Sequence, residues 1–288
     1  MLRPGFEPGS AAREAQKIDY SALRGDFQVY LGRYDGKTAH CILRYLDRFV
    51  FGRVINGPVD VMQIFNGLSA GQIHHLDRAL RALLNFCLLK GYSEEWIKGL
   101  KRAIPKDPDF IDLRIPSEHE IQDSLGRLRG INQKYRALFN LLLDSGLRLI
   151  EAVNLLNGFD EAKLTAVNGF FRYQIGAFRG SKTAYYAYFT GETLRQIEEV
   201  EGNISYDAAS NYFKKYRFVK PKYLRKFAFD KMVELETPET VADFIQGRVP
   251  KRVGARHYMN LVKQADSYYG RYAEYLRALR EKVDLQIS

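Results

Sequence analysis

The chain has 288 residues, 46% hydrophobic and 27% charged, an ordinary globular composition that excludes a disordered, collagen-like or low-complexity protein. That is about twice the ~150 residues typical of one domain, so two domains are expected. Lys and Arg number 44 against 34 Asp and Glu, a formal charge of +10, with +5 in each of 1–105 and 106–288. A polyanion touching both halves is the natural partner. No apolar run approaches the ~18 residues of a membrane span, and no basic-then-apolar signal peptide opens the chain. The two cysteines, Cys41 and Cys87, both lie inside apolar helical patterns. This excludes a disulfide scaffold or a Cys-rich zinc site, and a cytoplasmic, non-membrane location is expected.

Residues 1–16, MLRPGFEPGSAAREAQ, are rich in Gly, Pro and Ala, lack periodicity and read as an irregular lead-in. From 17 to 104 the pattern is that of a small helical domain with no strand. Thr38–Phe51 places Ile42, Leu43, Leu46, Phe49 and Val50 at spacings of three and four, and Asn56-Gly57-Pro58 breaks the pattern. Ser69–Lys90 carries Leu76, Leu80, Leu83, Leu84 and Leu88 on one stripe and stops at Gly91. A short helix follows from Ser93. Pro105, Pro108 and Pro116 make 105–116 an extended linker. Ser117 and Glu120 form a capping-box pattern that opens a second domain, 117–288. Its expected helices are 117–128, 132–144, 148–157, 191–200, 205–217, 220–235, 238–246 and 255–281. Between them, Phe170–Phe178 and Ala184–Thr190 read as a hairpin around a Gly-containing turn. The expected fold class is mainly α with a small β-sheet.

Catalytic candidates are few. The five histidines show no metal-ligand spacing, and neither a phosphate-binding loop, nor a dinucleotide fingerprint, nor a serine elbow occurs. What stands out is a set of cations in the second domain. Arg148 follows the Ser145-Gly146 break at a helix's first turn, where a cation opposes the helix dipole unless an anion lies nearby. Alone it reads as a surface Arg paired with Glu151. Lys182 sits at the hairpin tip. Lys222 and Arg225, three apart, share a face of a Pro-started helix. Arg248 follows the helix stop at Gly247. Tyr258 lies ten residues beyond Arg248 and 33 beyond Arg225. Each has a bland reading when taken singly.

In order and spacing, this set resembles the tyrosine recombinases, or phage-type integrases. The run Leu142–Glu151, containing LDSGLRLIE, resembles the family's Leu-x-Thr/Ser-Gly-Leu-Arg-x-x-Glu box. Lys182 matches its hairpin lysine. PKYLRKFAF is similar to its His-x-x-Arg box with the aromatic helix that follows, and Gln246-Gly247-Arg248 to the box preceding the nucleophilic tyrosine. The resemblance covers about 117–265, and the helical domain before it fits the family's core-binding domain. Two positions depart: Lys222 stands where the family has His, and Arg248 where it has His or Trp. Such departures resemble integrases of archaeal viruses and plasmids, the spindle-shaped-virus type in particular.

The resemblance implies a helical core-binding domain joined to an α+β catalytic domain. It also implies cleavage and rejoining of double-stranded DNA through a 3′-phosphotyrosine, by a homo-oligomer that is tetrameric in synapsis. The implied catalytic residues are Tyr258, Arg148, Lys182, Lys222, Arg225 and Arg248, with no cofactor and no metal. The chemistry is coherent in its own right. Two guanidiniums, Arg148 and Arg225, can hold nonbridging phosphate oxygens bidentately. Neighbouring cations favour the phenolate of a tyrosine whose ordinary pKa is ~10. Lys182 can protonate the leaving 5′ oxygen. Lys222 accepts the tyrosine proton if adjacent cations lower its pKa. Glu151 is expected to orient a cation and His257 to be structural. Tyr268, Tyr269, Tyr272 and Tyr275 fall on an amphipathic tail that suits core or subunit packing. A type IB topoisomerase and a non-catalytic DNA-binding relative are the alternatives.

Residues 4–9, Pro-Gly-Phe-Glu-Pro-Gly, permit the codons CCG-GGG-TTC-GAA-CCC-GGG, which contain GGTTCGAACCC, the T-arm sequence shared by most tRNA genes. Integrases of the spindle-shaped-virus type resemble this arrangement, with the attachment site inside the integrase gene. About residues 3 to 16 are therefore expected to be a translated attachment site matching a host tRNA gene.

Overall fold

The computed structural model describes residues 16–106, 112–179, 182–248 and 260–287. The chain divides into two compact units, Met1–Ile111 and Asp112–Ser288. This division falls inside the expected linker and assigns Asp112 to the second unit.

In the first unit the helices are α1 (Tyr20–Tyr30), α2 (Gly36–Phe49), α3 (Pro58–Phe65), α4 (Ala70–Leu89) and α5 (Glu94–Ala103). Local chemistry starts them. The Asp19 carboxylate accepts the Ser21 N–H and the Asp35 carboxylate accepts that of Thr38, satisfying donors left open at a helix start. Pro58 at the first position of α3 sacrifices no hydrogen bond. The apolar stripes meet as expected: Ile42, Leu46 and Val50 are buried, as are Leu76, Leu80, Leu83 and Leu84. One expectation needs correcting. Two-residue strands β1 (Ile18–Asp19) and β2 (Val54–Ile55) pair antiparallel beside the helices. Elements this short carry no period-2 signal.

The second unit begins with α6 (Glu118–Arg127), α7 (Gln133–Ser145) and α8 (Leu149–Asn157). A three-stranded antiparallel sheet follows in the order β3 (Leu164–Val167), β4 (Phe170–Arg179), β5 (Lys182–Thr190). Strand β3 was not foreseen, although its link to β4 is Asn168-Gly169 with φ of 39° and 89°, a turn that matches strand twist. Helices α9 (Gly191–Glu198), α10 (Tyr206–Lys215), α11 (Pro221–Glu234), α12 (Glu239–Ile245) and α13 (Leu261–Ile287) complete the unit.

Helix α7 is the centre of this unit, buried on every residue from Ala137 to Ser145. Its last carbonyls cannot reach water, and other groups take them. Gly146 N–H donates to Leu142 O (3.0 Å), the Tyr272 hydroxyl to Leu143 O (2.9 Å) and the Tyr269 hydroxyl to Asp144 O (3.1 Å). Both tyrosines come from α13, whose Ala265, Tyr269, Tyr272, Leu276, Leu279 and Val283 are buried. Of the core and subunit packing that the sequence offered for the tail stripe, its own unit's core fills it.

Candidate active site

Gly146 ends α7 in the left-handed region (φ +59°), and two residues later Arg148 caps α8 from an extended conformation. The cost of a cation at a helix start is offset by Glu151. One of its oxygens accepts the Arg148 backbone N–H (3.0 Å) and the other lies 2.6 Å from Arg148 Nη1. The same Nη1 donates to Gly247 O at 3.1 Å. Glu151 therefore does orient a cation, and its pair with Arg148 coexists with a long-range tie to the end of α12.

Arg225 enters from α11. Its Nη1 donates to Gly146 O (2.6 Å) and Gln246 O (2.7 Å), while its Nη2 is buried without a hydrogen-bond partner. Burial, then the charges of Arg248 and Arg148, push its pKa down to about 9. A guanidinium resists deprotonation in proteins, so Arg225 is a buried charge short of an anion. Gly247 (φ +70°) turns the chain after α12 and sets Arg248, whose Nη1 pairs with Asp243 at 2.9 Å and whose guanidinium lies over the Phe229 ring at 5.1 Å. Three arginines expected from the sequence are thus brought together.

Arg148 and Arg225 also line an open cavity of about 470 Å³ with Lys214, Lys220 and Lys222. Five cations and no carboxylate face it among the described residues, which suits a phosphate backbone. Lys222 departs from expectation. Its Nζ lies 2.6 Å from Asp112 Oδ2, and this carboxylate raises its pKa. The condition set for it, a lowering by adjacent cations, is not met, because the Asp112 carboxylate dominates the shift. Lys222 is thus a paired cation at the cavity.

Lys182 opens β5, in register with Arg179 of β4. Tyr258 and His257 lie outside the described residues, as do residues 1–15 with the proposed attachment-site codons. Helix α13 starts three residues after Tyr258, its first turn braced by Asn260, whose side-chain oxygen accepts the Lys263 N–H at 3.0 Å.

Sequence reasoning gave no role to four residues at or behind the site. Gln246 is fully buried, and its Nε2 donates to Arg225 O at 2.7 Å. Asp112 was lost in the presumed linker. Asp144 and Arg280 form a buried pair (2.5 Å) two residues before Gly146, with Thr190 and Thr193 hydroxyls on the other Asp144 oxygen at 2.8 Å. Asp144 gave a signal as a charge at an apolar position of α7, and Gln246 as part of the box before the expected nucleophile. Among the described residues no cluster of His, Cys, Asp or Glu could hold a metal ion, and no helix is long and apolar enough to cross a membrane.

A family model described as archaeal phage integrase matches residues 113–275. The chain belongs to the archaeal phage integrase family. As a member, this integrase is a site-specific recombinase of the tyrosine type. Its fold is similar to that of a lambda integrase dimer bound to a COC′ core site, with TM-score 0.62 and 11% identity over 87% of this chain and 78% of that one. It is also similar to a lambda integrase tetramer bound to a Holliday junction, with TM-score 0.59 and 13% identity over 82% of this chain and 79% of that one. The Tn1549 transposon integrase in complex with circular intermediate DNA gives TM-score 0.57 and 15% identity over 87% of this chain and 99% of that one. At these identities the likeness is one of fold. No curated protein sequence matches the integrase.

Proposed function

We propose that this integrase binds double-stranded attachment sites as a homo-oligomer, tetrameric in synapsis, and exchanges strands through a 3′-phosphotyrosine on Tyr258. Arg148 and Arg225 hold the nonbridging oxygens of the scissile phosphate, and Arg248 adds charge beside them. The Tyr258 oxygen attacks phosphorus and gives up its proton to solvent, the bond to the 5′ oxygen breaks, and Lys182 supplies the proton that oxygen needs. Lys222 serves as a fixed cation. Rejoining is the reverse attack by a 5′ hydroxyl, so the phosphotyrosine bond stores what the next step needs.

The observation that carries this reading is the buried Nη2 of Arg225, unpartnered beside a cavity lined by cations. Covalent trapping tests it. Nicked suicide duplexes, selected from a randomised pool by capture on the wild-type chain, should form a protein–DNA adduct through Tyr258 and join to a matched site. Relaxation of supercoils without sequence preference would identify a topoisomerase, and binding without an adduct a non-catalytic relative.

We further propose that residues of about 3 to 16 are a translated attachment site and that the element integrates at a host tRNA gene. Support comes from the codons allowed by Pro4–Gly9. The segment's sequence then answers to DNA pairing and not to folding, so its deletion leaves cleavage intact. Sequencing the gene decides: codons 4–9 unable to spell a T-arm, or a crossover mapped elsewhere, would end the idea.

A further inference from the structure

Asp112, the first residue of the second unit, is fastened to the helix that carries Lys222 and Arg225. Its Oδ2 lies 2.6 Å from Lys222 Nζ and its Oδ1 lies 3.5 Å from Lys226 Nζ. Lys226 Nζ also donates to the main-chain carbonyls of Asp112 and Arg114, the latter at 3.2 Å. Arg114 N–H donates to Asp112 Oδ1 at 3.1 Å, closing a local turn. The Arg114 guanidinium pairs with Glu120 at 2.7 Å and lies over the Tyr223 ring at 4.7 Å. Residues 112–114 are therefore strapped along the first two turns of α11. Lys222 and Lys226, four apart, reach the same carboxylate from one face.

An unpaired lysine here would be a flexible point charge, for the Lys222 side chain is 62% exposed. The ion pair fixes it at the rim of the cavity. We propose that Asp112 is a positioning residue for recombination, its carboxylate holding the Lys222 ammonium where a DNA phosphate enters the cation-lined cavity. The proposal rests on the reading of Lys222 as a site residue given above. The groups that face Lys222 are Asp112 and Lys226 on one side and Tyr223 beneath it at 4.9 Å. Arg148, Arg225, Lys214 and Lys220 line the same cavity. Asp112 is the carboxylate among them, so it keeps Lys222 charged and in place against the repulsion of its neighbours. It also ties the start of the unit to its site.

The test uses the full chain and a suicide duplex that the wild type cleaves. Asp112→Asn should lower the single-turnover rate at saturating DNA by about 10- to 100-fold, the scale of a misplaced catalytic group. DNA affinity should hold or tighten, since a negative charge near phosphates is gone. The alkaline limb of the rate profile should move to lower pH as Lys222 loses its partner, and Asp112→Glu should recover part of the rate. An unchanged rate overturns the proposal. An increased rate also overturns it and makes Asp112 a mask over Lys222. A slower rate with an unmoved alkaline limb reduces Asp112 to a structural contact and overturns it too. An adduct surviving in Tyr258→Phe would instead sink the nucleophile assignment, whatever Asp112→Asn does.

Discussion

Arg225 and Gln246 are bonded to each other twice. Arg225 Nη1 donates to Gln246 O and Gln246 Nε2 donates to Arg225 O, each at 2.7 Å. The side chain of each residue thus satisfies the backbone of the other, locking the start of α11 to the end of α12. Gly146 closes the lock from the third side, because its carbonyl takes the same guanidinium nitrogen. A Cβ on Gly146 would stand 2.3 Å from Gln246 Nε2, and φ of +59° is already costly for any residue with a side chain. Gly146→Ala should therefore lower stability by about 1–3 kcal/mol, the usual scale of such strain. It should also slow cleavage more than its loss of stability explains, because Gln246 and Arg225 move together. Denaturant melts beside single-turnover cleavage check this.

The unpartnered Nη2 of Arg225 makes the free site a charge waiting for an anion. Phosphate or DNA that binds the folded chain alone should raise its melting temperature, by about 2.7 kcal/mol of added stability at a hundred times Kd. In Arg148→Ala and Arg225→Ala this gain should shrink and cleavage should fall roughly 10²-fold or more, as for a lost transition-state clamp. Thermal shifts with and without inorganic phosphate measure the first effect and adduct formation the second.

DNA affinity should fall steeply with salt. Lys214→Ala and Lys220→Ala, both on the cavity wall, should weaken binding to all sequences alike and each reduce the slope of log K against log salt by about 1. Fluorescence titrations across a salt series give the slopes.

Behind the site, Arg280 and Asp144 are 6% and 0% exposed and pair at 2.5 Å, so α13 is held to the end of α7 by a buried charge. Arg280→Met strips the buried Asp144 of its ion-pair partner, and should cost about 3–5 kcal/mol. Tyr272→Phe removes only a hydroxyl bond to Leu143 O and should cost about 1 kcal/mol. Equilibrium unfolding of both variants ranks them.

What the sequence made legible follows from the physics of each signal. Helices with apolar stripes and capping residues, such as α4 and α6, stand within a residue or two of expectation, because periodicity and caps are local. The arginines of the site were found because their order and spacing resemble the tyrosine recombinase boxes; two of them follow glycines that are left-handed in the structure, Gly146 before Arg148 and Gly247 before Arg248. Lys222 was placed among the site residues with its proton affinity left conditional on its neighbours. Its controlling neighbour, Asp112, lies 110 positions away in a stretch whose prolines suggested only a connector. The partners of Gln246 and Arg280 were invisible for the same reason: a buried polar partner is set by tertiary packing and leaves no period in the chain. The tail tyrosines show the converse. Their stripe was plain, but periodicity says that a face is buried and not by what, and here it is the end of α7.

The central claim is that Tyr258 is the nucleophile of a site whose phosphate is clamped by Arg148 and Arg225. The most direct measurement is covalent capture of a nicked suicide duplex by wild type and Tyr258→Phe, with tryptic mapping of the adduct peptide. The account predicts a 3′-phosphotyrosine on Tyr258 in the wild type, none in Tyr258→Phe, and nearly equal DNA affinity in both, since only one oxygen is lost. An adduct of undiminished yield in Tyr258→Phe, or a wild-type adduct mapped to Tyr268, Tyr269, Tyr272 or Tyr275, would contradict it.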